Sequence, residues 1–346
     1  MKSLFNTYLV LILIILSSSC SKVVEDFPLQ VHEPQIVING MAQSDSVFSF
    51  MIARTAMRNN LNMEWSRVTP TELELLQNGS NVNVRYSSDS NLFVADNIHV
   101  KPLDKFDINV SVNGLESARA DLTVPDSTSF TVENIKITKE ESGTPCYDCP
   151  PDYVEPILFN ISLTVLLDDA PATDNFYSIK IERASYTYIM NDGEYKYTND
   201  FPPPDPENYV SVDSVLVFNP VEISSWDGIY EFKNDYGLYT NTDITEETGG
   251  NILYFKDQLL PGLKNQISVS SDNFYFYTDI DILNLRITLT SYTKDMFYYL
   301  RSLASYNSYY DFPLSEPIYI YTNIKNGRGI FGAASQTSRH IRVKPD

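Results

Sequence analysis

The chain has 346 residues, with 25 lysines and arginines against 45 aspartates and glutamates, so its formal net charge at pH 7 is −20. This balance argues against a nucleic-acid partner, because nucleic-acid binding depends on basic side chains that neutralise phosphates. It also disfavours adhesion to anionic lipid headgroups, whereas a soluble, self-repelling surface, a cationic ligand or calcium remains compatible with it.

The N-terminus predicts an export signal that ends at a lipid-modified cysteine. Lys2 precedes an eight-residue apolar run that starts at Leu9, and three serines follow before Cys20. A run this short cannot span a bilayer core, which needs about 20 helical residues, whereas the whole pattern is typical of a cleaved signal peptide. We therefore expect residues 1–19 to be removed, Cys20 to carry the lipid anchor and residues 20–33 to form a tether. Ordinary secretion with a free cysteine is the alternative.

The other two cysteines, Cys146 and Cys149, lie in a proline-flanked C-x-x-C loop. An exported chain favours oxidation, so a small-loop disulfide is the leading interpretation. A zinc site would need four ligands, and no second cysteine pair or nearby histidine pair supplies the other two. A redox centre would place the first cysteine at a helix N-terminus, which a proline-flanked loop does not favour.

Residues 34–125 predict a first β-sandwich domain, because short alternating strands are separated by turn signals. The predicted strands are residues 35–40, which end at Asn39-Gly40, and residues 47–52, 82–86, 106–112 and 119–124. One short helix is also predicted, with Thr69 as its N-cap, Pro70 at its first position, Glu72 in a capping box and Asn78-Gly79 at its end.

Residues 126–346 predict a second β-sandwich domain, which follows a polar turn cluster that begins at Pro125. Its predicted strands are residues 130–137, 157–167, 177–181, 215–218, 266–270, 285–290 and 318–323. An amphipathic helix is predicted at about residues 295–308, because Phe297, Leu300 and Leu303 recur at helical spacing. The predicted fold is therefore mainly β, with two immunoglobulin-like sandwiches, one short helix in the first and one amphipathic helix late in the second.

Near the C-terminus, residues 327–332 match the dinucleotide-binding pattern G-x-G-x-x-G literally. Only 14 residues follow the motif, and they contain neither a helix followed by a strand nor the acid that such a site needs. We therefore expect no cofactor here. Asn326-Gly327 is predicted to turn after the preceding strand, while Gly329 and Gly332 allow bends or close backbone packing on the second domain.

No catalytic constellation emerges from the rest of the sequence. The histidines, His32, His99 and His340, are far apart in the chain, have no motif partner and are expected on the surface. The sequence contains no serine-hydrolase elbow, no H-E-x-x-H and no phosphate-binding loop. We therefore assign no catalytic residue, no metal ligand and no cofactor, and we predict that the protein is not an enzyme.

Two groups of acids are weak candidates for calcium binding. Asp168 and Asp169 lie near Asp174, and Asp279 lies near Asp281. Their carboxylates are the hard oxygen ligands that calcium prefers, but neither group has the EF-hand spacing. Turn formation is the favoured explanation for both groups.

The assembled pattern resembles a known family. It combines a lipoprotein signal, an early strand at residues 34–40, a Leu-Thr-Val-Pro domain end at residues 122–125, a late tyrosine-rich helix and a terminal segment at residues 316–332. Together these are similar to Bacteroidetes outer-membrane lipoproteins of unknown function that are often encoded beside TonB-dependent receptors. The resemblance covers essentially the whole mature chain and implies an outer-membrane, surface-facing lipoprotein that works with a TonB-dependent transporter. It implies no catalytic residues.

Three functions are compatible with the sequence. The favoured one is a non-catalytic partner of an outer-membrane receptor that captures or gates a nutrient through loops between the strands. A carbohydrate-binding or adhesion module is the first alternative, with Trp65 and Trp226 as its stacking platforms. A hydrolase with dispersed catalytic residues is the second. The sequence does not identify the ligand.

Overall fold

β-Strands dominate the part of the chain that the structure describes. The structure, a computed structural model, describes residues 33–55, 68–141, 157–168, 175–190, 195–198, 209–211, 216–223, 232–234, 252–256, 266–276, 283–309 and 319–345. The first strands are β1 (Ile36–Gln43), β2 (Ser49–Arg54), β3 (Glu72–Gln77), β4 (Ser80–Asn81), β5 (Val84–Ser87), β6 (Leu92–Ala95), β7 (Lys105–Ser111), β8 (Ala118–Thr123), β9 (Ser129–Glu141) and β10 (Ile157–Asp168). The later strands are β11 (Phe176–Met190), β12 (Tyr195–Thr198), β13 (Tyr209–Ser211), β14 (Leu216–Pro220), β15 (Phe232–Asn234), β16 (Ile252–Lys256), β17 (Gln266–Phe276), β18 (Leu283–Tyr292) and β19 (Gly327–Val343). The described residues also form one helix, α1 (Lys294–Tyr309).

The strands form one large sheet and two small ones. The large sheet has the order β15-β16-β11-β18-β19-β1-β2-β6-β5, and β12, β13 and β14 also pair with β11. The small sheets have the orders β17-β10-β9 and β4-β3-β7-β8. β1 and β19 pair in parallel, so the first and last strands are neighbours inside the large sheet. The predicted mainly β, sandwich-like fold is therefore confirmed.

The large sheet is covered on both faces. Side chains alternate between the faces of a strand, so Phe331 and Ala333 of β19 pack with the four-stranded sheet, whereas Ile330 and Ala334 pack with α1. The three-stranded sheet covers the same face as the four-stranded one, farther along the large sheet. Two small sheets therefore share one face of the large sheet, and α1 lies on the other.

Two hydrophobic cores fill the space between the sheets. The first combines residues from positions 36–124 with Ile324, Phe331 and Ala333. The second is formed by residues from positions 130–289, with Ile341 and Val343 packed against it. β19 therefore contributes to both cores, and the predicted domain boundary between residues 125 and 126 stays a prediction.

The short helix predicted after Thr69 is wrong, because this part of the chain forms β3 and pairs with β7. Asn78 and Gly79, the expected helix end, have φ angles of 52° and 79° and connect β3 to β4. Positive φ at both residues is the requirement of a type I′ hairpin turn, for which Asn-Gly is the preferred pair. Burial of Leu75 in the first core fixes the strand in place of the helix.

The predicted late helix is confirmed as α1. Thr293 caps its N-terminus, since the hydroxyl oxygen accepts a hydrogen bond from the Met296 backbone N–H at 3.3 Å. Met296, Phe297 and Leu300 form the buried face that packs on the large sheet. Within the described ranges, no helix combines the length and apolar character needed to cross a membrane.

The strand predicted at residues 318–323 is wrong for the described residues of that stretch. Residues 319–326, called here the 319–326 segment, follow a non-strand course until Asn326. The Tyr321 backbone N–H donates to Ser302 Oγ of α1 at 2.9 Å. Side-chain hydrogen bonds to α1 thus take the place of a strand ladder.

Candidate functional site

The glycine motif lies at the start of β19, where the strand pairs with β1. Gly329 has a φ of 96°, and a Cβ placed on it would lie 2.2 Å from the carbonyl oxygen of Ile38. A Cβ on Gly332 would lie 2.8 Å from the Cβ of Met296 in α1. The prediction that these glycines allow close backbone packing is therefore confirmed. The motif continues as a strand to Val343, whereas a dinucleotide site needs a helix at this point.

The predicted turn around the motif is wrong in extent, and its predicted packing on the second domain is only part of what the structure shows. Asn326, with a φ of 58°, provides the turn alone, because Gly327 already pairs with Ile36. The motif packs on β1, which belongs to the predicted first domain, as well as on α1. Close pairing with the N-terminal strand explains why the backbone extends instead of folding back.

Asn39 and Gly40 also lie inside a strand, so the predicted strand end at this pair is wrong. The Asn39 Oδ1 accepts a hydrogen bond from the Ile330 backbone N–H at 3.2 Å, which ties β1 to the motif. A Cβ on Gly40 would lie 2.6 Å from the Cβ of Phe50 in β2. The pair therefore serves contacts on both sides of β1 rather than a turn.

A groove of about 280 Å³ lies on the face of β3, β7 and β8 that points away from the first core. The groove is defined here by its charged and amide residues, Glu74, Asp107, Asn109, Arg119, Asp121 and Lys325. The buried apolar residues of β7 and β8 point to the core because the side chains alternate, whereas Leu76 of β3 lies on the groove face. The groove side chains are therefore exposed but stand on strands whose other face is packed.

Two cross-strand rows bring the groove residues together. In the first row, Glu74 pairs with Asn109, which pairs with Arg119. In the second row, Asp107 of β7 lies directly opposite Asp121 of β8. Like charges that face each other on neighbouring strands are destabilising. The groove therefore keeps its second row of charge at a cost in stability.

The groove charges are weakly paired within the described residues. Lys325 Nζ lies 3.8 Å from Asp121 Oδ1. The backbone of Lys325 is fixed in place by two hydrogen bonds with the backbone of Arg119, of 2.9 and 3.2 Å. No described residue forms a hydrogen bond or ion pair with the side chain of Glu74, Asp107 or Arg119. The groove therefore presents both hydrogen-bond donors and acceptors to a polar ligand.

A second polar surface lies beside α1, on the face of the large sheet that the two small sheets do not cover. This tyrosine–cation surface is defined by Lys256, Lys294, Tyr298, Arg301, Tyr319 and Arg328. Lys256 Nζ lies 5.2 Å from the centre of the Tyr298 ring, which is a cation–π distance. Arg328 Nη1 donates to the hydroxyl of Tyr319 at 3.0 Å, although the Tyr319 side chain is 67% exposed. An aromatic ring is thus held at the surface by an arginine.

The 319–326 segment connects these two surfaces. The Tyr321 hydroxyl donates a hydrogen bond to the carboxylate of Asp295, in the first turn of α1. Burial and this hydrogen bond raise the pKa of Tyr321 to about 12. At its other end, the segment places Lys325 in the groove. One stretch of chain therefore carries residues of both surfaces.

A third charged cluster pairs one buried carboxylate with two cations. Both carboxylate oxygens of Glu182 are paired, one with Lys180 Nζ at 2.6 Å and one with Arg286 Nε at 2.7 Å. Burial raises the pKa of Glu182, but the hydrogen bonds from Arg286 and Lys180 outweigh it and hold the pKa below its usual value. The Arg286 guanidinium also lies 3.8 Å from the centre of the Phe218 ring. Because each carboxylate oxygen of Glu182 already has a cationic partner, neither is left for a ligand, and the cluster is structural.

Several residues predicted from the sequence lie outside the described residues. They are the lipidation site Cys20, the predicted disulfide pair Cys146 and Cys149, and the aromatic platforms Trp65 and Trp226. The lipid anchor, the disulfide and aromatic stacking at those tryptophans therefore stay predictions.

The surface position predicted for the histidines is confirmed for two of them. His99 and His340 are exposed, while His32 lies outside the described residues. The His340 ring lies 5.5 Å from the Phe218 ring, measured between centres. A contact with an aromatic ring gives His340 a packing role rather than a metal-binding one.

The calcium candidates are described only at Asp168, whose carboxylate accepts a hydrogen bond from Ser129 Oγ at 2.9 Å. The other candidate acids, Asp169, Asp174, Asp279 and Asp281, lie outside the described residues. Among the residues that the structure does describe, no three histidine, cysteine or acidic side chains come together as a metal site. The bond from Ser129 joins the ends of β9 and β10, which is a structural role for Asp168.

Comparison with protein families gives one match that spans most of the chain. The family model described as a domain of unknown function, DUF4249, matches residues 23–340. A comparison with curated proteins finds no match.

Comparison with solved structures gives distant likenesses. A Corynebacterium diphtheriae protein described as membrane-anchored is 12% identical, with a TM-score of 0.20; the match covers 75% of this chain and 55% of that one. A structure of carbohydrate-binding modules from the β-sandwich superfamily is 9% identical, with a TM-score of 0.18, over 72% of this chain and 96% of that one. The C-terminal domain of a Streptococcus pyogenes antigen I/II-family protein is 9% identical, with a TM-score of 0.16, over 75% and 94%. Scores this low carry no inference about function.

Proposed function

We propose, from the premise that this chain belongs to the DUF4249 family, that it is a non-catalytic outer-membrane lipoprotein that captures a ligand for a TonB-dependent transporter. In this proposal Cys20 carries the lipid anchor and the folded part faces the cell exterior. The resemblance of the sequence to lipoproteins encoded beside TonB-dependent receptors supports the choice of partner. The groove on β3, β7 and β8 supports the capture of a ligand.

The observation that carries the ligand-capture role is the opposition of Asp107 and Asp121 in the groove, which the 3.8 Å contact between Lys325 Nζ and Asp121 Oδ1 relieves only in part. A sheet face without a function would gain stability from a neutral or oppositely charged pair at these positions. Arg119 supplies a donor in the neighbouring row, so a ligand can receive hydrogen bonds and donate them within one groove. Strands hold these groups in fixed positions, which lowers the entropic cost of binding.

The partner is tested by purifying the tagged, full-length protein from its native outer membrane in mild detergent. We expect a TonB-dependent transporter to co-purify in near-stoichiometric amount and to be identified by mass spectrometry. A different outer-membrane lipoprotein with the same tag serves as the control, because it reports capture through the tag or the detergent. Repeated recovery of the protein alone would contradict the proposed partnership.

The groove is tested with the compound that the identified transporter imports. Calorimetry on the full-length protein should detect binding, and Arg119→Ala should weaken it by about tenfold, the effect of one charge-assisted hydrogen bond. Arg85→Ala is the matched control, since Arg85 is an exposed arginine whose partner is Asp96, outside the groove. Equal affinities for all three proteins would remove the groove from the proposal.

The two alternatives make different predictions. A carbohydrate-binding module would bind on a glycan array and lose that binding on Trp226→Ala. A hydrolase would show turnover that a single acidic substitution abolishes. Either result, obtained without transporter capture, would replace the proposed function.

A further inference from the structure

The groove is bordered by one edge of β8, the last strand in the order of the four-stranded sheet. Arg119 exchanges two backbone hydrogen bonds with Lys325, of 3.2 and 2.9 Å, on the side of β8 that faces away from β7. Backbone groups of alternate residues point to the same edge of a strand, so those of Asp121 and Thr123 point to this edge too. Val124 agrees with this alternation, because its backbone hydrogen bonds run to the turn before β7.

This edge of β8 is open beyond Lys325. A continued ladder would place Asn323 opposite Asp121, but the Asn323 side chain bonds to the backbone of Phe331 instead, at 2.8 and 3.0 Å. In the described part of the chain, nothing bonds to the backbone of Asp121 or Thr123 on this edge. Pro125, which has no N–H, follows the strand. Two N–H and two C=O groups therefore remain for an added strand.

The same alternation brings the two groove carboxylates close together. Since the backbone groups of Asp121 point away from β7, its pair with Asp107 is of the non-hydrogen-bonded kind, in which Cα atoms are only about 4.5 Å apart. Lys325, bonded to this edge, already brings its Nζ to 3.8 Å from Asp121 Oδ1. A residue bonded opposite Asp121 would extend the row of the two acids itself, so a basic side chain there would face both carboxylates.

Lys325 also determines where an added strand must end. It occupies the place opposite Arg119, so a chain that runs antiparallel to β8, as the segment of Lys325 does, has to end beside Asp121. In that direction the end is the carboxyl terminus. The Asp121 backbone N–H and the exposed Arg119 guanidinium are donors for a terminal carboxylate at this point.

We infer that the groove and the open edge of β8 together bind short, extended peptides that end in lysine or arginine; this inference names the ligand class of the proposed function and rests on it. Main-chain hydrogen bonds to Asp121 and Thr123 supply affinity, as in other cases of strand addition. Asp107 and Asp121 select the basic side chain, and Arg119 binds the terminal carboxylate. Such a ligand carries both of the charges that the groove complements.

The selection of charge is tested by calorimetry on the full-length protein. The probe is the acetylated pentapeptide alanine-threonine-alanine-threonine-lysine with a free carboxyl terminus, and the same peptide with norleucine in place of lysine keeps the apolar stem without the charge. The norleucine peptide should bind about tenfold more weakly. Asp121→Asn should weaken the lysine peptide by about tenfold and leave the norleucine peptide unchanged. Glu72→Gln, an exposed acid opposite Ser111 and outside the groove, is the matched control.

The addition of a strand is tested at Thr123. Thr123→Pro removes one N–H of the open edge without altering a groove charge, and proline is tolerated where the N–H of an edge strand points outwards. It should weaken both peptides by about fivefold, the effect of one backbone hydrogen bond. Thr123→Ala keeps the N–H and should bind as the unaltered protein does. Methylation of the lysine amide nitrogen in the peptide should also weaken binding about fivefold, and this measurement leaves the protein unchanged.

The outcomes separate the ligand class from the proposed function. If neither peptide binds while the compound that the transporter imports still binds in an Arg119-dependent manner, the peptide class is wrong and the proposed function stands. Equal affinities for the lysine, norleucine and methylated peptides would also overturn the inference. If the peptides bind with the expected losses but no transporter co-purifies, the peptide site is supported and only the partnership fails.

Discussion

Gly329 lies opposite Ile38 in the parallel pairing of β19 with β1, and a Cβ on Gly329 would lie 2.2 Å from the Ile38 carbonyl oxygen. No ordinary side-chain contact is that short, so any residue with a Cβ must push the two strands apart. The parallel pair lies in the middle of the large sheet and joins the two halves of the fold. The motif that resembles a nucleotide site in the sequence is thus a requirement of strand packing.

We predict that Gly329→Ala lowers the free energy of unfolding by about 3 kcal/mol, because backbone strain at a φ of 96° adds to the clash with β1. Gly114→Ala is the matched control: its φ is 76°, but nothing lies within 4 Å of the added Cβ. That control should cost only about 1 kcal/mol. Chemical denaturation measures both variants, and equal losses would show that the approach to β1 is unimportant.

We predict that Glu182→Gln lowers the free energy of unfolding at neutral pH by about 2 kcal/mol, because it breaks a buried ion pair whose cations remain partly exposed. Asp96→Asn is the control: it breaks the pair with Arg85, whose side chain is 61% exposed, and should cost less than about 1 kcal/mol. Thermal melts of the two variants test this ranking. A larger loss in Asp96→Asn would contradict it.

The same cluster predicts a pH dependence. The pKa of Glu182 is lower in the folded protein than in the unfolded chain, so its stabilisation is present above the unfolded pKa and is lost as the pH falls through the folded one. We therefore expect the stability of the unaltered protein to fall more steeply on acidification below about pH 4.5, the ordinary value for glutamate, than that of Glu182→Gln. Parallel curves would show that Glu182 is unperturbed.

We predict that Asp107→Asn stabilises the protein by about 0.5 kcal/mol, because it removes the repulsion with Asp121 across β7 and β8. The same substitution should weaken binding of the transporter's ligand in the groove. Glu72→Gln, an exposed acid on β3 that lies opposite Ser111, is the control and should change neither property. Thermal melts and calorimetry test the pair of effects, and a loss of stability in Asp107→Asn would contradict the account of the groove.

We predict that Tyr321→Phe loosens the 319–326 segment and costs about 1.5 kcal/mol, because it deletes a hydrogen bond to a carboxylate. Since the Tyr321 pKa is raised to about 12, the contribution of this hydroxyl is complete below the ordinary tyrosine value and is lost as the pH rises through the folded one. The unaltered protein and the variant should therefore converge in stability above about pH 12.

The lipid anchor gives a prediction that concerns the N-terminus alone. In cells that lack the partner transporter, Cys20→Ala should release the protein from membranes, because no acyl chain can then be attached at that position. Fractionation of cells that express each protein measures the release. Continued membrane association of the variant would show that another part of the chain anchors it.

The sequence predicts most strands because β-branched and aromatic residues alternate with polar ones in stretches such as Phe106 to Val112. It predicts α1 because apolar residues, among them Phe297 and Leu300, recur at helical spacing. The predicted helix after Thr69 fails because capping residues describe only local preference. Tertiary burial of Leu75 and the hairpin turn at Asn78 outweigh that preference.

The groove was beyond the reach of sequence reasoning for a different reason. Asp107 and Asn109 are two residues apart on one strand, and Arg119 and Asp121 are two residues apart on the next. This spacing shows that each pair lies on one exposed face of its strand. Which strands are neighbours, and in which register, depends on long-range pairing that a single sequence does not contain. Lys325 in particular reaches the groove through a backbone bridge to Arg119, far away in the chain.

The pairing of β1 with β19 also governs when the protein can fold. Asn39 and Ile330, which the pairing brings into hydrogen-bond contact, are 291 positions apart in the chain, and the first core is incomplete without Phe331 and Ala333. The N-terminal strands therefore cannot close their core while the last part of the chain is still being synthesised. Contacts this distant in sequence form slowly. For a chain with a predicted export signal, delayed closure preserves the open polypeptide that a secretion channel requires.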